Sequence, residues 1–200
     1  MAYAGYKIGN GSSYANFAAD GELTLVGTAK VLRQLPLVFQ YRNITAQGKP
    51  TLVNVGNFYG FGLPVYNSDD EELFACQCML GDWDGTSDPL VYIGGWLDTA
   101  NTTKKFKLQI SVETADFLGN DVVPATTNDY TIETTTGTWA QYTSFKIYIT
   151  VDASVIGLAV GQPLAVRVRR VAATGDEIAG EVVIEGALIS YTADRLGVAT

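Results

Sequence analysis

Residues Lys105 to Thr114 read Lys-Phe-Lys-Leu-Gln-Ile-Ser-Val-Glu-Thr, so that Phe106, Leu108, Ile110 and Val112 alternate with Lys, Gln, Ser and Glu. Side chains of an extended strand point to opposite faces in turn, and a period of two therefore gives one buried and one wet face. The pattern recurs. Phe145, Ile147, Ile149 and Val151 stand opposite Lys146, Tyr148 and Thr150, and Val166 and Val168 alternate with Arg167 and Arg169. Val182, Ile184, Gly186 and Leu188 are expected to form one side of the last strong strand. Further strands are expected over Leu23 to Val31, Gln34 to Tyr41, Thr51 to Phe58, Glu71 to Leu80 and Leu90 to Trp96, all rich in branched and aromatic residues. Ala153 to Val160 is the one stretch that could make a turn of helix, with Ser154 as its cap and Gly157 and Gly161 as its limits. The expectation is an all-β chain, an antiparallel β-sandwich or barrel. No α/β alternation marks a nucleotide-binding parallel sheet.

The chain has 200 residues, enough for one sizeable core. Hydrophobic residues make up 47% and charged residues 17%, which excludes disorder over most of the length. The formal net charge of -8 opposes contact with nucleic acid. There is no histidine, which removes Ser-His-Asp and Cys-His nucleophile machinery, His-ligated zinc and histidine general bases. Met1 to Asn10 lacks the basic and apolar regions of a secretory signal, and no apolar run approaches the ~18 residues of a membrane span. Synthesis in a cytosol, with no membrane contact, is the expectation.

Residues 1–20 are dominated by Gly, Ser, Asn, Ala and Tyr without alternation, and are expected to be an extended N-terminal arm ahead of a single domain at 21–200. Such an arm needs a neighbour to order it, which makes Tyr3, Tyr6, Tyr14 and Phe17 candidates for an interface between subunits.

Cys76 and Cys78 share one strand face with Phe74 and Leu80 and are expected to be small buried hydrophobes rather than a redox or metal pair. Asp82, Asp84 and Asp88 cluster around Gly85, a weak candidate for calcium, although a turn in which Asp side chains bond their own backbone accounts for the same residues. Arg167 and Arg169 could hold a carboxylate of another subunit or a phosphate, or else pair across strands with Glu181 and Glu185. Trp83 and Trp139 lie beside polar turn residues and are the aromatic candidates for exposure, in an interface or against a sugar, whereas Trp96 should be buried. Glu113, Asp116, Asp121 and Glu133 are carboxylates that could serve a glycosidase, but no motif sets a pair at a working separation, so no catalytic residue and no cofactor are expected.

Three stretches carry a resemblance: Phe74 to Ile93, with its Asp-Trp-Asp-Gly turn; Gly161 to Arg170, a Gly-led strand with alternating arginines; and Gly175 to Tyr191, a turn and terminal strand. Together they span roughly residues 70 to 192 and resemble jelly-roll structural proteins of tailed bacteriophage virions, of the capsid-decoration, head-fibre or accessory type. The resemblance implies a jelly-roll sandwich in the virion, made in the host cytoplasm. It implies a non-catalytic role through contacts with a capsid protein and with copies of itself. The alternative is a carbohydrate-binding β-sandwich module on a virion fibre or host-attachment structure, which would present aromatic side chains beside polar groups in a groove and take a glycan as partner.

Overall fold

The computed structural model describes residues 6–17, 23–41, 50–64, 71–78, 81–115 and 126–194. In chain order the elements are β1 (Tyr6–Asn10), β2 (Ser13–Phe17), β3 (Leu23–Val26), a short 3-10 turn (Gly27–Ala29), β4 (Val31–Leu37), β5 (Gln40–Tyr41), β6 (Thr51–Val55), β7 (Phe58–Leu63), β8 (Glu72–Cys78) and β9 (Leu90–Leu97). They continue with β10 (Asn101–Lys104), β11 (Lys107–Thr114), β12 (Thr126–Glu133), β13 (Gly137–Trp139), β14 (Ser144–Thr150), α1 (Ala153–Ile156), β15 (Pro163–Val171) and β16 (Val182–Ala193). The chain is all-β, and its strand pairs are antiparallel throughout the named strands.

Two sheets form a jelly-roll-type sandwich. One has the order β12-β11-β15-β8-β5; the other has the order β14-β9-β16-β7-β6, with β4 also pairing with β16. Apart from the β6–β7 and β11–β12 hairpins, the chain crosses repeatedly between the two sheets, and each strand buries its apolar face against the facing layer. The core confirms the alternation. Leu108, Ile110 and Val112 of β11 and Leu164, Val166 and Val168 of β15 meet Val91 and Ile93 of β9 and Val182, Ile184 and Ile189 of β16. Each such side chain contributes roughly 1.5–3 kcal/mol when fully buried.

The structure corrects several local expectations. In β16 the register shifts between Ile184 and Gly186. Val182 and Ile184 point inward, but beyond the irregularity it is Ile189, Tyr191 and Ala193 that are buried, and Gly186 and Leu188 fall on the outer face. In β8 the inward residues are Leu73 and Ala75, and Cys76 is exposed rather than buried. The side chain of Cys78 and residues 79–80 lie outside the described residues. The helix is capped by Asp152, not Ser154: its carboxylate accepts the backbone N–H groups of Ser154 and Val155, both at 3.1 Å, and Gly157 ends the helix at φ 69°. Near the N-terminus, β1, β2 and β3 form a small antiparallel sheet, and the N–H of Leu25 in β3 donates to the carbonyl of Asp194 just beyond β16.

Arg170 holds one end of the sandwich together. It sits on the inward side of β15, only 5% exposed. Its Nε donates to Glu177 at 2.9 Å, Nη1 to the carbonyls of Gly180 at 2.6 Å and Leu63 at 3.3 Å, and Nη2 to that of Ile178 at 2.5 Å. Leu63 belongs to the opposite sheet, so one guanidinium ties β15, β7 and the 172–181 connection. Burial draws the Arg170 pKa below its ordinary value, and Glu177 opposes that shift. Removing one side of a buried ion pair strands the other, at a cost of about 3–5 kcal/mol. Arg170→Ala is therefore expected to lower the unfolding free energy by about that amount in urea titration, well beyond the effect of Lys104→Ala, whose partner Asp176 is exposed.

Candidate functional site

The two sandwich sheets each leave an outer face to solvent, and the two faces have different chemistry. On the five-stranded sheet, Arg167 and Arg169 of β15 both reach Glu72 of β8, at 3.3 and 3.8 Å. Arg167 also donates to Ser111 of β11 at 2.8 Å, Arg169 to Gln109, and Gln109 to Asp129 of β12 at 3.0 Å. Glu113 accepts from Thr127 at 2.9 Å. The arginines therefore pair within their own sheet. Glu181 and Glu185 lie with β16 in the facing sheet, so the expected pairing with them does not form; the 172–181 connection crosses between layers instead of making a hairpin. A groove of about 410 Å³ runs beside this network, floored by Phe74, Ala165 and Cys76. Its neighbouring charged groups largely satisfy one another.

The Asp82–Asp88 turn is structural. Asp82 is 3% exposed; it accepts from Tyr191 Oη at 3.1 Å and pairs with Arg33 at 2.9 Å. Asp84 accepts from the N–H groups of Thr86 and Ser87 and from Lys30 Nζ at 2.9 Å. Asp88 accepts from the N–H of Ala153 at 3.2 Å. The three carboxylates thus serve three different partners, and among the described residues no group of three or more acidic or thiol side chains is placed to hold a metal ion. Trp83, expected to be exposed, is 2% exposed, because this turn bridges to Ala193 at the end of β16 and folds the indole into the core, with Nε1 donating to the carbonyl of Ser87 at 3.1 Å. Trp139 is also no surface platform: it packs on the core, its ring centroid 6.1 Å from that of Phe106, and its Nε1 donates to the Lys104 carbonyl at 3.0 Å. Trp96 is buried, as expected. Tyr14 lies in β2 beneath Lys7, whose Nζ is 3.2 Å from the ring centroid, and Phe17 is 40% exposed. Tyr3, Asp116, Asp121 and the side chain of Tyr6 lie outside the described residues.

The surface aromatics that gather are ones the sequence did not single out. On the outer face of the six-stranded sheet, strand register aligns Tyr148 of β14, Tyr92 of β9, Leu188 of β16 and Pro36 of β4 in one row. The Tyr92 and Tyr148 rings are 5.5 Å apart and tilted by 41°, and Tyr148 is 59% exposed. The next row is Lys146, Gly94 and Gly186. Two glycines facing one another leave a trough of about 450 Å³, walled by Tyr92, Leu188, Lys146 and Glu185. A Cβ on Gly186 would meet nothing within 4 Å, and one on Gly94 only the Phe145 carbonyl at 3.9 Å, so both would project into open space. Lys146 Nζ lies 4.3 Å from the Tyr92 centroid. Trp96 occupies the next position on the same face of β9, and its buried Nε1 finds no hydrogen-bond partner among the described residues. The β16 register shift creates this trough by turning Gly186 and Leu188 outward.

No family model matches the chain, and no curated protein matches it. Among solved structures, it is similar to a xylan-binding module of family CBM15 (10% identity, TM-score 0.43), over 81% of this chain and 97% of that one. A CBM28 module specific for non-crystalline cellulose aligns with 80% of this chain and 87% of its own (10% identity, TM-score 0.37). The enzymatically active domain of tailspike protein 4 from bacteriophage CBA120 aligns with 80% of this chain but only 19% of its own (18% identity, TM-score 0.30).

The turn that buries Trp83 has a pH signature. Burial pushes the Asp84 carboxyl up, but Lys30 and the Ser87 and Thr86 hydrogen bonds outweigh it and hold the pKa at about 2, below the ordinary 3.8. A depressed carboxylate pKa stabilises the fold above the unfolded value, and that stability is lost as pH falls through the folded one. The melting temperature should fall between pH 4 and 2 on the order of this window, and Asp84→Asn should flatten part of the fall while lowering stability at neutral pH.

Proposed function

We propose that this chain is a non-catalytic carbohydrate-binding β-sandwich module whose ligand lies across the outer face of the six-stranded sheet. The observation that carries the reading is the Tyr92–Tyr148 ledge beside the Gly94–Gly186 trough. A pyranose ring has an apolar face, which packs on an aromatic ring, and an edge of hydroxyls, which need donors and acceptors in the same plane. The tyrosine ledge supplies the first. The tyrosine hydroxyls, Lys146 and Glu185 supply the second, and the glycine row lets a chain of sugars settle close to the backbone. The five-stranded face fits this use less well, since its arginines and carboxylates are engaged with one another and its groove offers one aromatic ring, Phe74.

A virion fibre or host-attachment structure is the setting in which this module would meet a surface glycan. The capsid-decoration reading rests on the resemblance and the N-terminal arm, and two of its aromatic interface candidates, Trp83 and Trp139, are used inside the fold.

Isothermal titration of the full chain against a panel of soluble neutral and acidic polysaccharides tests the proposal. Tyr148→Ala should weaken binding about tenfold, the loss of one stacked ring. Gly186→Val should abolish it by filling the trough, and neither change should move the melting temperature by more than a few degrees. Binding unaffected by both variants, or no binding across the panel, overturns it.

A further inference from the structure

A sheet edge exposes unpaired N–H and C=O groups, and soluble proteins blunt such edges with short strands, proline or lysine. Four edges of this sandwich follow that rule. β5 has two residues, β4 contains Pro36, β6 follows Pro50, and β14 carries Lys146. The fifth does not. β12, Thr-Thr-Asn-Asp-Tyr-Thr-Ile-Glu over Thr126–Glu133, has eight residues with no Pro, Gly, Lys or Arg, and pairs only with β11 among the named strands. Its full length runs in unbroken register with β11, so no bulge turns this edge away from a partner. Thr127, Asp129 and Thr131 are exposed, and α1, which packs against β12, leaves Val155 52% exposed beside it.

We infer that a second copy of this chain pairs with β12, antiparallel, joining two five-stranded sheets into one of ten strands. Strand overlap and charge together select the register. Facing residues in a ladder lie on the same side of the sheet, so a two-fold axis must pass through a residue pair of matched parity. Centring on Asp129 or on Tyr130 gives the longest overlap of the two strands, and the first would set Asp129 against itself. Centring on Tyr130 sets Tyr130 against Tyr130, Asp129 against Thr131, Asn128 against Ile132 and Thr127 against Glu133, with no like charges opposed. Glu133 is already neutralised within its own chain by Lys105 and by Lys107 at 3.8 Å. The partner's strand also covers the half-buried Tyr130 and Ile132, and Tyr130 is held in place by the Asp152 N–H, which donates to its hydroxyl at 2.9 Å. The edge therefore offers backbone pairing, an aromatic contact at the axis and compatible charges to one occupant, its own copy.

Sedimentation equilibrium of the full chain tests this. The expected result is a concentration-dependent dimer. Thr131→Asp would oppose Asp129 of the second copy at two symmetric places and raise the dissociation constant about tenfold, whereas Thr131→Lys would oppose unlike charges there and leave the dimer as tight or tighter. Thr131 is exposed, so both variants should keep the parent melting temperature of the monomer. A monomeric mass at the highest concentration the chain tolerates overturns the inference, as does a dimer whose affinity is the same in Thr131→Asp and Thr131→Lys.

Discussion

Everything in this molecule depends on the burial of two apolar sheet faces against each other. β11 and β15 supply one half of that contact, and β9 and β16 the other. Because side chains alternate, each residue given to the core commits its neighbours to an outer face. The outer faces are thus a direct consequence of the inner ones. On β15 the inward Val166 and Val168 place Arg167 and Arg169 outside, where Glu72 meets them. On β9 the inward Val91 and Ile93 place Tyr92 and Gly94 outside, where the trough forms.

Two departures from strict alternation give the molecule its individuality. The first is the register shift in β16. An extra residue in one strand changes which side the following side chains take, and here it brings Gly186 opposite Gly94 while returning Ile189 and Tyr191 to the core. The second is Arg170, a charged residue on an inward position. Its cost of burial is offset only because Glu177 and three carbonyls surround it, and the need for those partners fixes the path of the connection from β15 to β16. A similar logic operates at the opposite connection, where Asp82, itself buried, is acceptable because Arg33 and Tyr191 reach it. Burial, and then the Asp82 carboxylate that accepts from its hydroxyl, raise the Tyr191 pKa to about 12.

Much of the fold was legible in the sequence because strand periodicity is a local property. The alternation at Lys105–Thr114, Phe145–Val151 and Val166–Val168 correctly identified strands and their inward faces. Boundaries were less legible where polar content hides a strand. β12 is rich in Thr and shows little alternation of polarity, yet it forms eight consecutive pairs with β11. The β8 face was assigned the wrong way round, since Phe74 and Cys76 are as apolar as Leu73 and Ala75 and nothing local decides between them. The turn tryptophans are hard to place for a related reason: a tryptophan beside Asp and Gly reads as exposed, but a turn can itself be folded onto the core and satisfy the indole N–H through its own backbone, as Ser87 does for Trp83.

The sequence by itself determined the all-β class, the inward residues of its regular strands and the chemistries that a chain without histidine cannot perform. Only the tertiary structure decided which outer residues stand side by side. Tyr92 and Tyr148 are 56 residues apart, Gly94 and Gly186 still farther, and each pair is brought together by strand order and register rather than by any local pattern. Periodicity fixes the face on which a side chain lies; pairing between distant strands fixes its neighbours, and a binding surface is made of neighbours.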